Sequence, residues 1–189
     1  MSDNNTTNPN QIIPTVLNEI TTVMDDINAD QLVGAMDFIT KSRRIFVVGA
    51  GRSGFQAKGF AMRLMHIGYT DYVFGETITP SIHEGDTLVA ISGSGNTSSV
   101  VETAEKAKKL GLAIVAFTSD PDSKLAKLAD RLVIVPGATK TGAGVQSIQL
   151  LSTLFDQTVH ITLDVLCLML SRRDGTSNQD ALGEHVNVE

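Results

Sequence analysis

An α/β fold, with a five-stranded parallel sheet doubly wound by helices, is what this sequence predicts, and three observations predict it. Five short runs, at residues 44–48, 72–74, 87–91, 113–117 and 132–135, are rich in Val, Ile, Leu and Phe and carry no polar alternation, the mark of strands covered on both faces. Between them lie segments whose apolar residues recur at three- and four-residue spacing, which makes helices. The runs end in turns rich in Gly, Ser or Thr, at the carboxyl ends where such sheets bind ligands.

Taken in order, residues 1–10 are polar and Asn-rich and read as a disordered leader. Over 11–40 the residues Ile13, Val16, Leu17, Ile20, Val23, Met24 and Ile27, then Leu32, Val33, Met36 and Ile39, form one or two amphipathic helices, with Asn28 or Asp30 as a cap for the second. The strand at 44–48 leads through Gly49-Ala50-Gly51-Arg52-Ser53-Gly54 into a helix ending near His66-Ile67-Gly68. The unit repeats: the strand at 87–91 is followed by a hydroxyl-rich loop and a helix at 100–110, and the strand at 113–117 by a loop at 118–123 and a short helix. The segment 145–171 is apolar around much of its circumference, more than one sheet face requires, so part of it is expected to pack on another subunit. Residues 172–179 are polar and read as disordered, giving a single domain at 11–171 and a tail at 172–189.

Composition removes whole classes. With 189 residues and 42% hydrophobic content the chain fills one core. A net charge of −6 without any Lys/Arg run speaks against a nucleic-acid partner. The single cysteine, Cys167, lies in an apolar run and reads as core. The opening residues carry no signal-peptide pattern, and the last apolar segment is interrupted by Asp156, His160 and Asp164, so a cytoplasmic protein with no membrane partner is expected.

Two loops carry chemistry. Gly49-Ala50-Gly51-Arg52-Ser53-Gly54 fits the dinucleotide pattern G-x-G-x-x-G, with Glu76 about twenty residues on. Arg52 and Ser53, however, supply a cation and a hydroxyl suited to a small anion. One strand over, Ser92-Gly93-Ser94-Gly95-Asn96-Thr97 packs hydroxyls and glycines at a helix start, where N–H groups and the positive dipole end seat a phosphate. A dinucleotide needs one such loop; a compact phosphosugar is gripped by both. The binding candidates are Gly51, Arg52, Ser53, Ser92, Ser94, Asn96 and Thr97.

These loops, together with Ala61-Met62-Arg63-Leu64-Met65-His66, Gly75-Glu76-Thr77 and Thr118-Ser119-Asp120-Pro121-Asp122-Ser123, resemble the sugar isomerase (SIS) domain family, and within it the 6-phospho-3-hexuloisomerase branch. The likeness spans about residues 11–164, and the ending His185-Val186-Asn187-Val188-Glu189 is similar to the branch's His-Ala-Asn-Leu-Glu. The resemblance implies a flavodoxin-like three-layer sandwich in a homotetramer or dimer, with neither metal nor cofactor. It also implies isomerisation of D-arabino-hex-3-ulose 6-phosphate to fructose 6-phosphate through an enediol, in the ribulose monophosphate pathway of formaldehyde fixation.

That reaction needs a base, an acid and donors for an oxyanion. Asp156 stands where the branch has Phe-Glu-Gln, and an apolar surround would raise its pKa towards working pH. The chain departs from the pattern here: Asp is one methylene shorter, a displacement of about 1 Å that can cost about a hundredfold in rate. Upstream, Gln149-Leu150-Leu151-Ser152 replaces Gln-Pro-Met-Gly. Glu76, at a strand end, reads as a base, a sugar-hydroxyl ligand or a polar terminus. His66 reads as a helix C-terminal cation. The tail match makes His185 an acid/base donated to a neighbouring subunit. Asp156, His160 and Asp164, four apart, share a helix face that suits a metal, with the family's sedoheptulose 7-phosphate isomerase as template, or a polar stripe at a subunit junction. The competing reading from another class is a non-catalytic phosphosugar-binding regulator.

Overall fold

A computed structural model describes residues 7–140, 142 and 144–188. Strands β1 (Ile45–Gly49), β2 (Asp71–Val73), β3 (Thr87–Ile91), β4 (Ala113–Thr118) and β5 (Arg131–Ile134) form one sheet of order β2-β1-β3-β4-β5. Every neighbouring pair is parallel, with Ile45 opposite Asp71 and Thr87, and Thr87 opposite Ala113. This is the doubly wound α/β sheet expected, in the flavodoxin-like order.

Alternation along the strands splits the core into two layers. Ile45, Val47, Val89, Ile91, Val115 and Phe117 point to one face, covered by α1 (Pro9–Asp25), α2 (Ala29–Met36), α3 (Gly51–His66) and α6 (Thr153–Arg173). Phe46, Val48, Leu88, Ala90 and Ile114 point to the other, covered by α4 (Ser98–Lys109) and α5 (Lys124–Leu128). Asn28 caps α2 by accepting from the Asp30 N–H at 2.9 Å. Cys167 is buried in the α6 layer, which pushes its thiol up to about 12, as a core cysteine requires. Among the described residues one helix, α6, is long and apolar enough to cross a membrane by length and composition, but it packs in the core through one side, buried at Leu154, Phe155, Val159, Leu163, Leu166 and Leu170.

Three boundaries differ from expectation. Helix α1 starts at Pro9, capped by Asn8, so the end of the expected leader is helical; residues 1–6 lie outside the described residues. The last long helix starts at Thr153, not near 145. The cause is Glu19 on α1, whose carboxylate accepts from the Ile148 N–H at 2.7 Å, Ser147 Oγ at 2.7 Å and Gln149 Nε2 at 3.1 Å, taking backbone and side-chain donors out of any helix. The tail, expected to be disordered, folds into α7 (Asn178–Gly183) behind a reciprocal capping box of Ser177 and Asp180.

Candidate active site

Helices α3, α4 and α6 all begin at the carboxyl edge of the sheet. The residues at their N-cap positions, Ala50, Thr97 and Ser152, make no side-chain capping bond. Three sets of first-turn N–H groups and three positive dipole ends are thus presented where an anion can take them. They border one cleft of about 440 Å³, whose wall includes Gly51, Arg52, Ser53, Ser94, Thr97 and Ser152. The approach of α3 to β1 depends on the glycine motif: a Cβ on Gly54 would lie 3.0 Å from the Gly49 carbonyl oxygen, and one on Gly49 2.8 Å from that of Ser53.

Of the seven expected binding residues, five line the cleft: Gly51, Arg52, Ser53, Ser94 and Thr97. Ser92 and Asn96 do not. Ser92 is buried with its hydroxyl 3.0 Å from that of Thr97. Asn96 turns away, donating to the Ser94 carbonyl at 2.9 Å and accepting from the Lys124 N–H at 3.2 Å at the start of α5. Both residues hold the loop. Sequence reasoning missed Lys140, Thr139 and Ser152, which also line the cleft. Lys140 adds a second cation beside Arg52, and a lone lysine in an irregular loop offers no periodic signal that marks it. At the mouth, Leu150 and Leu151 are exposed, and Leu151 adopts φ 57°, a left-handed conformation that a leucine pays to hold.

Asp156 sits beneath the wall and is fully buried. The expected apolar surround is corrected: Ser53 Oγ donates to Oδ1 at 2.8 Å, while Arg52 Nε at 3.2 Å and Ser152 Oγ at 3.3 Å donate to Oδ2. Of the expected face of Asp156, His160 and Asp164, the last two are exposed and pair at 3.5 Å, whereas Asp156 is buried, and no metal-holding cluster occurs among the described residues.

The other two catalytic candidates lie elsewhere in the single chain. Glu76 accepts from Lys58 Nζ at 2.7 Å and borders a separate groove with Met62, Met65 and Ile78. His185 stacks on His66, ring centroids 5.2 Å apart, at the far end of the 16-residue α3. Helical rise puts that end about 22 Å from Gly51. His66 is buried, and burial, then Arg63, then His185, lower its pKa, which disfavours the C-terminal cation expected of it.

Residues 38–161 match the SIS domain. The chain is 38% identical to a Bacillus subtilis protein named 3-hexulose-6-phosphate isomerase, covering 95% of this chain and 98% of the relative. It is 41% identical to a protein of the same name from Mycobacterium gastri, covering 92% and 88%. A solved structure from Methanococcus jannaschii, reported to infer a molecular function of 3-hexulose-6-phosphate isomerase, superposes with TM-score 0.82 at 31% identity, covering 95% of this chain and 99% of that one. With its sheet order, its two donor loops and this match over most of its length, the chain belongs to the SIS domain family.

Proposed function

We propose that this chain is a cytoplasmic phosphosugar isomerase interconverting D-arabino-hex-3-ulose 6-phosphate and fructose 6-phosphate, the step that follows formaldehyde capture in the ribulose monophosphate pathway. The observation that carries the reading is the convergence of three uncapped helix N-termini, Arg52 and Lys140 on one cleft large enough for a hexose phosphate. The names of the relatives supply the substrate.

Moving a carbonyl from C3 to C2 requires removal of the C2 proton, an enediol, and return of a proton at C3. The phosphate occupies the loop donors, and Ser94, Thr97 and first-turn N–H groups stabilise the oxyanion. The chemistry calls on no metal or cofactor. Proton transfer comes from His185 of a second copy. Met62 and Met65 on α3 and Val165 and Leu168 on α6 are exposed apolar side chains for a second copy to cover. Two copies packed antiparallel through these helices would set the α3 end that carries His185 beside the α3 start of the other, where the cleft lies. Glu76 is the alternative base. The assembly is then a dimer, or a tetramer of two such dimers.

Incubating the protein with hex-3-ulose 6-phosphate should yield fructose 6-phosphate, and His185→Ala should lower kcat by about 10²–10⁴ while sparing KM. Turnover that survives in His185→Ala but is lost in Glu76→Gln moves the base to Glu76. A second reading, a phosphosugar-binding regulator, is favoured by one observation: no carboxylate or imidazole is part of the cleft wall among the described residues. Tight fructose 6-phosphate binding without turnover would establish it.

A further inference from the structure

We infer that Asp156 is a positioning residue of the anion seat, one that aims Arg52 and Ser53 at the ligand's phosphate and takes no proton itself. The inference rests on the phosphosugar reading of the cleft. A base that abstracts a carbon-bound proton must present an oxygen within about 3 Å of it. Asp156 presents none: it is 0% exposed, it is absent from the cleft wall, and both oxygens already accept hydrogen bonds from Ser53, Arg52 and Ser152.

The same contacts describe a brace. Arg52 gives its inner nitrogen, Nε, to Asp156, while its side chain is 61% exposed on the cleft wall. The two terminal nitrogens therefore extend past the carboxylate towards the space a phosphate fills, in the fork geometry that suits it. Ser53 is fixed in the same way on Oδ1. Because Ser152 also reaches Oδ2 and the Asp156 N–H donates to the Ser152 carbonyl at 2.9 Å, the brace joins the start of α3 to the start of α6. An ordered guanidinium loses less entropy on binding than a free one. The shorter Asp is suited to this work: a side chain that holds Arg52, Ser53 and Ser152 from beneath the wall has no need to extend into the cleft.

The test is calorimetric titration of fructose 6-phosphate and of inorganic phosphate into the parent protein, Asp156→Asn, Arg52→Lys and the double variant Asp156→Asn/Arg52→Lys, alongside steady-state turnover. Asn keeps the shape but places an N–H₂ group against donors. The expected result is a Kd and KM raised about tenfold in Asp156→Asn with kcat within about tenfold of the parent. Arg52→Lys keeps the charge but has a single nitrogen for two partners, and should lose a similar factor; the double variant should lose about no more than either alone, since the two act as one unit. Arg52 is largely exposed, so its variant folds even if Asp156→Asn does not. Parent-like ligand affinity in Asp156→Asn with kcat reduced about a thousandfold would make Asp156 the base and overturn the inference. So would parent-like binding by Arg52→Lys. If the parent bound phosphate but not fructose 6-phosphate, the isomerase reading would fall, while the coupling of Asp156 to Arg52 would still be decided by the phosphate titrations.

Discussion

At the carboxyl rim of the sheet, helices α3, α4 and α6 start with no side-chain cap around an open cleft, whereas at the amino rim the end of α6 and the tail are pinned by side chains. There Arg173 donates to the carbonyls of Met36 at 2.7 Å and Ile39 at 2.8 Å and to Tyr69 Oη at 2.6 Å, and Tyr69 Oη donates to Asp174 at 2.6 Å. Lys41 donates to Thr176 at 3.2 Å, and His185 closes over His66. Helices α3 and α6 each begin at the first rim and end at the second. The difference teaches where the chain keeps its donors: backbone groups are left for a ligand at one end, while side chains tie the chain together at the other.

Substitutions at the two rims should separate binding from stability. The largest effect is expected from Gly95→Ala. Gly95 has φ 61°, and a Cβ there would collide with the Ser123 side chain and lie 2.8 Å from Thr118 Oγ1. Denaturant unfolding should show a loss of about 3 kcal/mol or more, with phosphosugar binding lost as the Ser94 loop shifts. At the other rim, Arg173→Met keeps the apolar stem and removes five hydrogen bonds, two of them to the neighbouring Asp174. It should cost about 2 kcal/mol and leave the Kd for fructose 6-phosphate unchanged. A binding defect in Arg173→Met, measured under conditions where it is folded, would show that the two rims are coupled through the helices that span them.

The carboxyl rim was the more legible of the two in the sequence, because its signals are local. Apolar runs without polar alternation mark strands, and a glycine or hydroxyl cluster at the end of such a run marks a ligand loop. Within the cluster, which side chains face the cleft was not legible. Ser92 and Asn96 look like donors as much as Ser94 does, and only the packing of α5 against the loop turns Asn96 away. Asp156 illustrates the same limit: Leu154 and Phe155 before it are apolar, but the groups that meet its oxygens include Arg52 and Ser53, about a hundred residues upstream. The amino rim was least legible of all. A polar tail reads as disorder until Tyr69, Lys41 and His66, each more than a hundred residues away, supply its partners.

The smallest effect on ligand binding is expected from a pH dependence of stability confined to the amino rim, where buried His66 and half-buried Asp71 act in opposite directions. His66 has its pKa lowered, chiefly by burial and then by the neighbouring Arg63 and His185. Below about 6.5 the unfolded chain takes up a proton that the folded chain refuses, so the His66 contribution is complete above that pH and is lost as pH falls. Asp71, which opens β2, is pushed up to about 7 by burial. Its folded form holds a proton that the unfolded chain releases, so it penalises the fold most above pH 7, and the penalty fades as pH falls towards the unfolded value near 4. Parent stability between pH 8 and 5 therefore mixes a rise from Asp71 with a fall from His66, each bounded by about 1.4 kcal/mol per pH unit. Single variants separate them in urea titrations. Relative to the parent, Asp71→Asn should gain most at pH 8 and lose that advantage on acidification. His66→Gln should keep a constant offset above pH 6.5 and then gain on the parent as the pH drops. Parallel curves for parent and both variants would mean that neither group is held by the rim as the fold requires. Fructose 6-phosphate affinity should follow neither trend, because neither group borders the cleft.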